Sequence, residues 1–290
     1  MREFKSEIMA WSSAAVLLAF SSACGSAYES SNLDIVNGRT VESDVEPSVV
    51  FLYNPASSQD AGGGVCTGTF VKPQIMITAA HCTDYLKTER IEGITEETQD
   101  KLAVVAWDDT VDTDNDPSNG ISGGYQVVAK SSRIFRPSSV NARNIRTVHT
   151  EDVAIIFFED YESPETTNIA SSSPRRGERA TIVGFGADSI KPDRDDDSVG
   201  TKRMGTVRLS GIADFISFQG PSYTSCTDRC GEEVNAGPGD SGGPMFVDGE
   251  LVATTSGGSF WMTSYVNVNS ISTRRFIDAV EVVLDIEIND

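Results

Sequence analysis

The segment Gly239-Asp240-Ser241-Gly242-Gly243-Pro244 sets one serine among small residues. Two other segments carry groups that could activate its hydroxyl. Thr78-Ala79-Ala80-His81-Cys82 follows an apolar run, and Asp152 opens the run Asp152-Val153-Ala154-Ile155-Ile156. A serine becomes nucleophilic when a base takes its proton and a carboxylate orients that base. The three segments therefore supply the components of a Ser-His-Asp site.

Together these segments closely resemble the trypsin and chymotrypsin family of serine endopeptidases. The order His81, Asp152, Ser241 differs from the orders found in α/β-hydrolases and subtilisins. The resemblance implies a catalytic triad in which His81 is the general base, Asp152 fixes its tautomer and Ser241 is the nucleophile. It also implies an oxyanion hole made by the backbone N–H groups of Gly239 and Ser241. We expect His149, the second histidine of the chain, at the surface or at a strand end.

The remaining pattern is that of an all-β protein. From residue 35 onward, short apolar or alternating runs are separated by Gly, Pro, Ser and Asp clusters. The expected strands include 48–53, 70–78, 102–107, 153–158, 180–185 and 251–255. Helical spacing is clear only near the C terminus, over residues 276–284, with Ser272 or Thr273 as the cap. With the resemblance, this predicts two six-stranded antiparallel β-barrels, chymotrypsin-like, with a C-terminal α-helix.

The domain organisation follows from a Pro-, Ser- and Thr-rich stretch at 163–179, which is the expected linker. We expect a peptidase domain at 35–290, with an N-terminal barrel at 35–165 and a C-terminal barrel and helix at 166–290. The polar stretches 108–124 and 190–202 are expected to be surface loops. The second is rich in Asp, but no calcium-ligand spacing is recognisable there, so a solvated loop is favoured over a metal site.

Residues 1–27 resemble an export signal, with basic residues near the start, an apolar stretch at 8–20 and small residues after it. The apolar stretch is too short to span a membrane permanently. Cys24 ends the run Ser21-Ser22-Ala23-Cys24, which resembles a bacterial lipoprotein cleavage box, although Ser21 stands where Leu is preferred. Cleavage after Ala23 or Ala27 is the alternative. The expected location is secreted, periplasmic or cell-envelope, with membrane attachment only through a lipidated Cys24.

The segment Ile35-Val36-Asn37-Gly38 resembles the mature N terminus of this family. The resemblance implies that cleavage before Ile35 frees an ammonium group, which inserts and pairs with the carboxylate of Asp240. Residues 28–34 are then a short propeptide, and the longer chain is a zymogen. Because Asp34 precedes the bond, where trypsin-activated relatives carry Lys or Arg, we expect a different protease to activate the chain.

Four cysteines remain besides Cys24, an even set that suits two disulfides in an oxidising compartment. The resemblance implies that Cys66 and Cys82 form the family's bridge beside the catalytic histidine. Cys226 and Cys230 enclose only three residues. A turn can close so small a loop if the Cα atoms lie about 5 to 6 Å apart, so we expect a local Cys226–Cys230 bridge.

The specificity pocket is expected to be uncharged. The resemblance places its base at Asn235, where an Asp would select Lys and Arg, so cleavage after Lys or Arg is not expected. Its wall resembles Ser256-Gly257-Gly258, and Thr263 stands where Gly often sits. Because a side chain at 263 would shorten the pocket, small or medium uncharged residues are favoured before the scissile bond. Gly237 replaces the Cys of the family's usual pocket bridge.

The net charge of −20 argues against a nucleic-acid partner, since phosphates would be repelled. The expected partners are protein or peptide substrates and an activating protease, with no cofactor and no metal. The alternative from another class is a catalytically silent binding protein on the protease fold. An esterase of α/β-hydrolase type conflicts with the triad order and with the lack of alternating helices.

Overall fold

The structure, a computed structural model, describes part of the chain in detail. The described residues are 35–36, 38–42, 44–54, 64–83, 88–91, 94–97, 103–105, 127–140, 150–188, 199–219, 234–259 and 262–289. They belong to one compact unit, Ser31–Asp290. Several predictions lie outside the described residues: the export signal with Cys24, the propeptide, His149, the Cys226–Cys230 bridge, the 108–124 loop and most of the 190–202 loop.

Among the described residues, seventeen strands and one α-helix follow one another. They are β1 (Arg39–Thr40), β2 (Val49–Asn54), β3 (Gly64–Lys72), β4 (Ile75–Thr78), β5 (Thr88–Ile91), β6 (Ile94–Glu97), β7 (Ala103–Val105), β8 (Val127–Lys130), β9 (Arg133–Pro137), β10 (Ala154–Phe157), β11 (Arg179–Gly184), β12 (Arg203–Arg208), β13 (Gly211–Ile212), β14 (Phe215–Gln219), β15 (Pro244–Val247), β16 (Glu250–Ser259), β17 (Met262–Asn267) and α1 (Ile271–Leu284).

The strands form two sheets, one of nine strands in the order β5-β6-β9-β10-β4-β3-β2-β7-β8 and one of eight in the order β1-β12-β11-β15-β16-β17-β14-β13. Every pairing between these strands is antiparallel. The predicted all-β architecture with a C-terminal helix is confirmed. Both sheets have more than the expected six strands, and in the eight-stranded sheet the two edge strands, β1 and β13, have only two residues each.

Two local expectations differ from the structure. The run 70–78 is not one strand, because Pro73 and Gln74 form a turn between β3 and β4. Proline has no N–H to donate to a ladder and its fixed φ suits a turn. The helix cap is Ser270 rather than Ser272 or Thr273, and its Oγ accepts a hydrogen bond of 3.2 Å from the backbone N–H of Thr273.

The core joins the two sheets. One apolar cluster contains side chains from both sheets and from α1, including Phe51, Val183, Val266 and Phe276. The rings of Phe51 and Phe185 meet edge to face with centroids 5.8 Å apart. Each such side chain that is fully buried contributes about 1.5–3 kcal/mol. This shared cluster holds the sheets in one arrangement, on which the site below depends.

The N-terminal segment crosses to the sheet of the C-terminal half. The nine-stranded sheet is drawn from residues 49–157, whereas the eight-stranded sheet takes residues 179–267 together with β1. The division of the chain at 165/166 stays a prediction. Among the described residues, no helix has the length and apolar character needed to cross a membrane.

Candidate active site

Strand register brings His81 and Asp152 together. Thr78 at the end of β4 pairs with Ala154 at the start of β10. His81, in a 3₁₀ turn just after β4, and Asp152, just before β10, therefore emerge at the same edge of the sheet. His81 Nδ1 lies 2.8 Å from Asp152 Oδ2, and the backbone N–H of His81 donates to Asp152 Oδ1 at 2.9 Å. Because the carboxylate accepts the Nδ1 proton, Nε2 is the basic nitrogen of the neutral ring.

Asp152 has a third donor that the sequence analysis did not assign. The hydroxyl of Ser256 donates to Asp152 Oδ2 at 2.6 Å. The place of Ser256 in the pocket wall stays a prediction, and its side chain bonds the carboxylate at a register shift between Thr255 and Gly257 in the β16–β17 pair. A buried carboxylate needs several hydrogen-bond donors, and this requirement could have led to a search of the sequence for a donor such as Ser256.

The segment 239–243 lies between the two sheets. The backbone N–H of Thr67 on β3 donates to the carbonyl of Ser241 at 2.8 Å, and the N–H of Gly242 donates to Thr255 O on β16 at 2.8 Å. Gly242 has φ of +80°, and a Cβ there would fall 2.0 Å from Thr78 Oγ1. Only glycine allows this approach. The contact sets the backbone of Ser241 beside the strand that leads to His81.

Hydrogen bonds hold the backbone of Ser241. Among the described residues, no hydrogen bond joins its hydroxyl to His81. The backbone N–H groups of Gly239 and Ser241 also donate to no acceptor in the described part of the chain. Gly239 has φ of +100°, which favours glycine. Within the part of the chain that the structure describes, these two neighbouring N–H groups have no acceptor.

The predicted bridge beside His81 is confirmed. Cys66 on β3 and Cys82 form a disulfide whose Cα atoms lie 6.1 Å apart. The Sγ of Cys82 lies 3.5 Å from the carbonyl oxygen of Ser241, so the bridge also contacts the segment 239–243. Although both sulfur atoms lie close to His81, a disulfide has no thiolate to offer a metal ion.

Asn235, the predicted pocket base, and Thr263 are both buried and contact each other. Asn235 is 0% exposed and Thr263 is 2% exposed. The Thr263 hydroxyl donates to Asn235 Oδ1 and accepts from the N–H of Ala236 at 3.3 Å. Gly258 is the cross-strand partner of Thr263. Asn235 and Thr263 therefore form one hydrogen-bonded, uncharged pair.

Asp240 is buried behind Ser241. Its two carboxylate oxygens accept hydrogen bonds of 2.7 Å from the backbone N–H groups of Gly186 and Gly237. Burial raises the pKa of Asp240 to about 6, although these two bonds and the charge of Arg203 act to lower it. The carboxylate thus ties the segment before Ser241 to the end of β11.

The predicted activation segment is buried as well. Ile35 packs in the core of the eight-stranded sheet with residues such as Ile182 and Val234, and Val36 is buried beside it. Val36 bridges to Asn235, whose N–H donates to Val36 O at 3.1 Å. Ile35 has φ of +43°, which is rare for a β-branched residue. Its charge pairing with Asp240 requires a cleaved chain and stays a prediction.

Known proteins are similar to the chain in both sequence and fold. The profile of the family described as Trypsin matches residues 35–274. Trypsin delta and Trypsin gamma of Drosophila erecta are each 25% identical over 209 residues, which cover 70% of this chain and 72% of each relative.

Two solved structures show the same fold. One is neuropsin, a serine protease of mouse brain, with a TM-score of 0.56 and 17% identity over 86% of this chain and 99% of that one. The other is the scabies mite inactivated protease paralogue S-D1, with a TM-score of 0.56 and 15% identity over 86% of this chain and 97% of that one. Because the family profile covers most of its length, the chain belongs to the trypsin family.

Proposed function

We propose that the chain is a serine endopeptidase in which His81, Asp152 and Ser241 form the catalytic triad. The observation that carries the proposal is the double hydrogen bond from His81 to Asp152, at 2.8 and 2.9 Å, beside a serine segment with two N–H groups that donate to no acceptor among the described residues. Trypsin-family membership supports protein substrates.

The first chemical step uses His81 Nε2 as the base. Ser241 Oγ attacks the carbonyl carbon of the scissile peptide, and its proton passes to Nε2. The negative oxygen of the tetrahedral intermediate accepts hydrogen bonds from the N–H groups of Gly239 and Ser241. Losing one such donor typically costs about 2.7–4 kcal/mol in the transition state. Asp152 stabilises the imidazolium through the Nδ1 proton.

The second step releases the products. The imidazolium gives its proton to the leaving amine as the C–N bond breaks, which leaves an acyl group on Ser241. A water molecule then attacks the acyl carbon, its proton passes to His81 Nε2, and the acid product leaves as the proton returns to Ser241 Oγ.

This scheme requires the Ser241 hydroxyl to come within hydrogen-bonding reach of His81. A change of χ1 between staggered rotamers moves the Oγ atom while the backbone stays in place. Since hydrogen bonds of catalytic groups are often long before substrate binds, the absence of this bond is compatible with the scheme.

For specificity, we propose small or medium uncharged side chains before the scissile bond. The Asn235–Thr263 pair offers no carboxylate to a buried Lys or Arg, and the Thr263 side chain covers Asn235. Thr263→Gly removes this cover. We expect the variant to cleave peptides with larger residues before the scissile bond, measured as kcat/KM on a peptide series, with Lys and Arg still disfavoured.

For activation, we propose cleavage between Asp34 and Ile35 by another protease. The freed ammonium of Ile35 pairs with the buried Asp240 carboxylate, which offsets the cost of burying each charge. The burial of Ile35 and Val36 supports this proposal, because these two residues already pack in the core before the chain is cut. N-terminal sequencing of active enzyme should begin at Ile35, and another start in most molecules refutes the site.

We also propose that the chain is exported, as members of the trypsin family typically are. The Cys66–Cys82 disulfide supports an oxidising compartment. Lipidation of Cys24 is a separate proposal. Mass spectrometry of the N-terminal peptide of the exported chain should show either an acylated Cys24 or a shorter, unmodified end.

A serine-reactive phosphonate tests the triad. Wild type, Ser241→Ala, His81→Ala and a control, Ser172→Ala at an exposed position, are incubated with a labelled phosphonate after processing at Ile35. We expect label on wild type and on the control, none on Ser241→Ala, and at least about 100-fold slower labelling of His81→Ala. Label that does not depend on Ser241 refutes the proposal.

A catalytically silent binding protein is the second candidate. It is favoured by one structural neighbour, which is an inactivated protease paralogue. Failure of the processed wild type to take up label or to cleave a peptide library, while it binds a protein ligand, supports this candidate over the enzyme.

A further inference from the structure

A buried guanidinium shares a sheet face with the carboxylate of Asp240. Arg203 at the start of β12 is 2% exposed, and Asp240 is 1% exposed. Arg203 pairs with Gly184 across β11 and β12. Directly opposed residues of an antiparallel pair project to the same face. Because a Cβ on Gly184 would fall 2.1 Å from Asp240 Oδ1, that face is where the Asp240 carboxylate rests.

The charges of these two side chains act on each other. The guanidinium of Arg203 lowers the pKa of Asp240, and the carboxylate raises the pKa of Arg203, while burial shifts each pKa the other way. The other groups at the carboxylate are the N–H groups of Gly186 and Gly237 and the buried Tyr265, whose pKa burial raises so that it stays neutral. Among the described residues, Arg203 is thus the cation that acts on Asp240.

Hydrogen bonds of Asp240 fix the turn that leads to the N–H groups of Gly239 and Ser241. Its carboxylate holds the N–H of Gly237, and its own N–H donates to Gly237 O at 3.1 Å. This closes the turn that leads into Gly239. The N-terminal segment is already seated next to this turn, since Val36 pairs with Asn235. The contacts that shape the turn at 237–240 are therefore formed without a free ammonium at Ile35.

We propose that Arg203 is a positioning residue that holds Asp240 while the bond before Ile35 is intact, so that the uncut chain keeps part of the activity of the cleaved enzyme. The inference rests on the proposed function. After cleavage, the ammonium of Ile35 brings a second cation to Asp240, and the dependence on Arg203 becomes smaller. Cleavage then raises the activity of a precursor that is partly active.

The test compares the uncut and cut forms of the full chain. Residues 30–34 are replaced by an enteropeptidase recognition sequence, so that cutting leaves Ile35 as the N terminus, and mass spectrometry verifies each form. The rate of phosphonate labelling at Ser241 is measured for wild type, Arg203→Gln, Arg203→Lys and a control on the same strand, Arg208→Gln, whose side chain is exposed.

We expect the uncut wild type to be labelled. The labelling rate should fall by at least about tenfold in uncut Arg203→Gln, because a buried carboxylate that loses its cation is strongly disfavoured. In the cut form of this variant the rate should fall by less than about threefold. Arg203→Lys keeps a cation with a shorter reach, so it should slow the uncut form less than Arg203→Gln does, and Arg208→Gln should change neither form. In uncut Arg203→Gln the acid limb of the labelling rate should move to higher pH, because Arg203 lowers the pKa of Asp240.

Three results overturn the inference: no labelling of uncut wild type, equal losses in both forms of Arg203→Gln, or an unchanged acid limb. If Arg203→Gln does not fold, Arg203→Lys decides the question. Because the lysine side chain is shorter, this variant should slow labelling of the uncut form more than labelling of the cut form. Equal slowing of the two forms contradicts the inference. Absence of label from the cut wild type instead refutes the proposed function itself.

Discussion

Gly242→Ala tests the packing that positions Ser241. A Cβ at 242 would lie 2.0 Å from Thr78 Oγ1 and 2.5 Å from Thr67 O. The methyl group and the threonine must therefore separate by at least 1 Å to reach 3.0 Å, the shortest distance that real contacts show. The left-handed backbone costs a non-glycine residue about 1–2 kcal/mol, and overpacking adds about 1–3 kcal/mol.

Gly249→Ala is the matched control. Gly249 has a similar φ of +83°, but a Cβ there meets no atom within 4 Å. We expect Gly249→Ala to lower the free energy of unfolding by about 1–2 kcal/mol through the backbone alone. Gly242→Ala should lower it by about 2–5 kcal/mol, because overlap is added to the same backbone cost.

Activity separates the two variants further. Since a shift of about 1 Å in a catalytic group can cost 100-fold, kcat/KM should fall by about that factor in Gly242→Ala and stay unchanged in Gly249→Ala. Denaturant unfolding followed by circular dichroism gives the stabilities, and hydrolysis of a peptide substrate gives the rates. Equal stability losses in the two variants, or full activity in Gly242→Ala, would refute the packing argument.

Three further predictions concern the same site. Ser256→Ala removes a hydrogen bond to Asp152 that is worth about 1.5–3 kcal/mol, so kcat/KM should fall by about 10- to 150-fold, while an unchanged rate would mean that Ser256 has no role. Replacing both Cys66 and Cys82 by Ala should lower the free energy of unfolding by about 3 kcal/mol, measured by denaturant titration, and a loss below 1 kcal/mol would contradict the bridge's role. Because the folded-state pKa of Asp240 is raised to about 6 from 3.8, the folded uncut chain binds more protons in this window. The stability difference between wild type and Asp240→Asn should therefore fall as pH rises from about 4 to about 6, and a flat or rising difference curve would contradict burial as the dominant effect.

Local patterns account for the parts of the fold that were predicted from sequence. Alternating apolar runs and turn residues indicated strands near Val49–Asn54 and Ala154–Phe157, and helical spacing indicated a C-terminal helix, found at Ile271–Leu284. These signals depend on residues close in the chain. The turn at Pro73 was missed because an apolar run continues on both sides of it.

The sequence by itself determined which residues are candidates for chemistry, and its resemblance to the trypsin and chymotrypsin family implied the Cys66–Cys82 bridge beside His81. It did so because three separated motifs occur together in one order. Only the tertiary structure decided that Ser256 donates to Asp152 and that Arg203 shares a sheet face with the buried Asp240. The physical reason is that both arrangements depend on strand register and burial, which join residues 104 positions apart in the first case and are set by the packing of whole sheets.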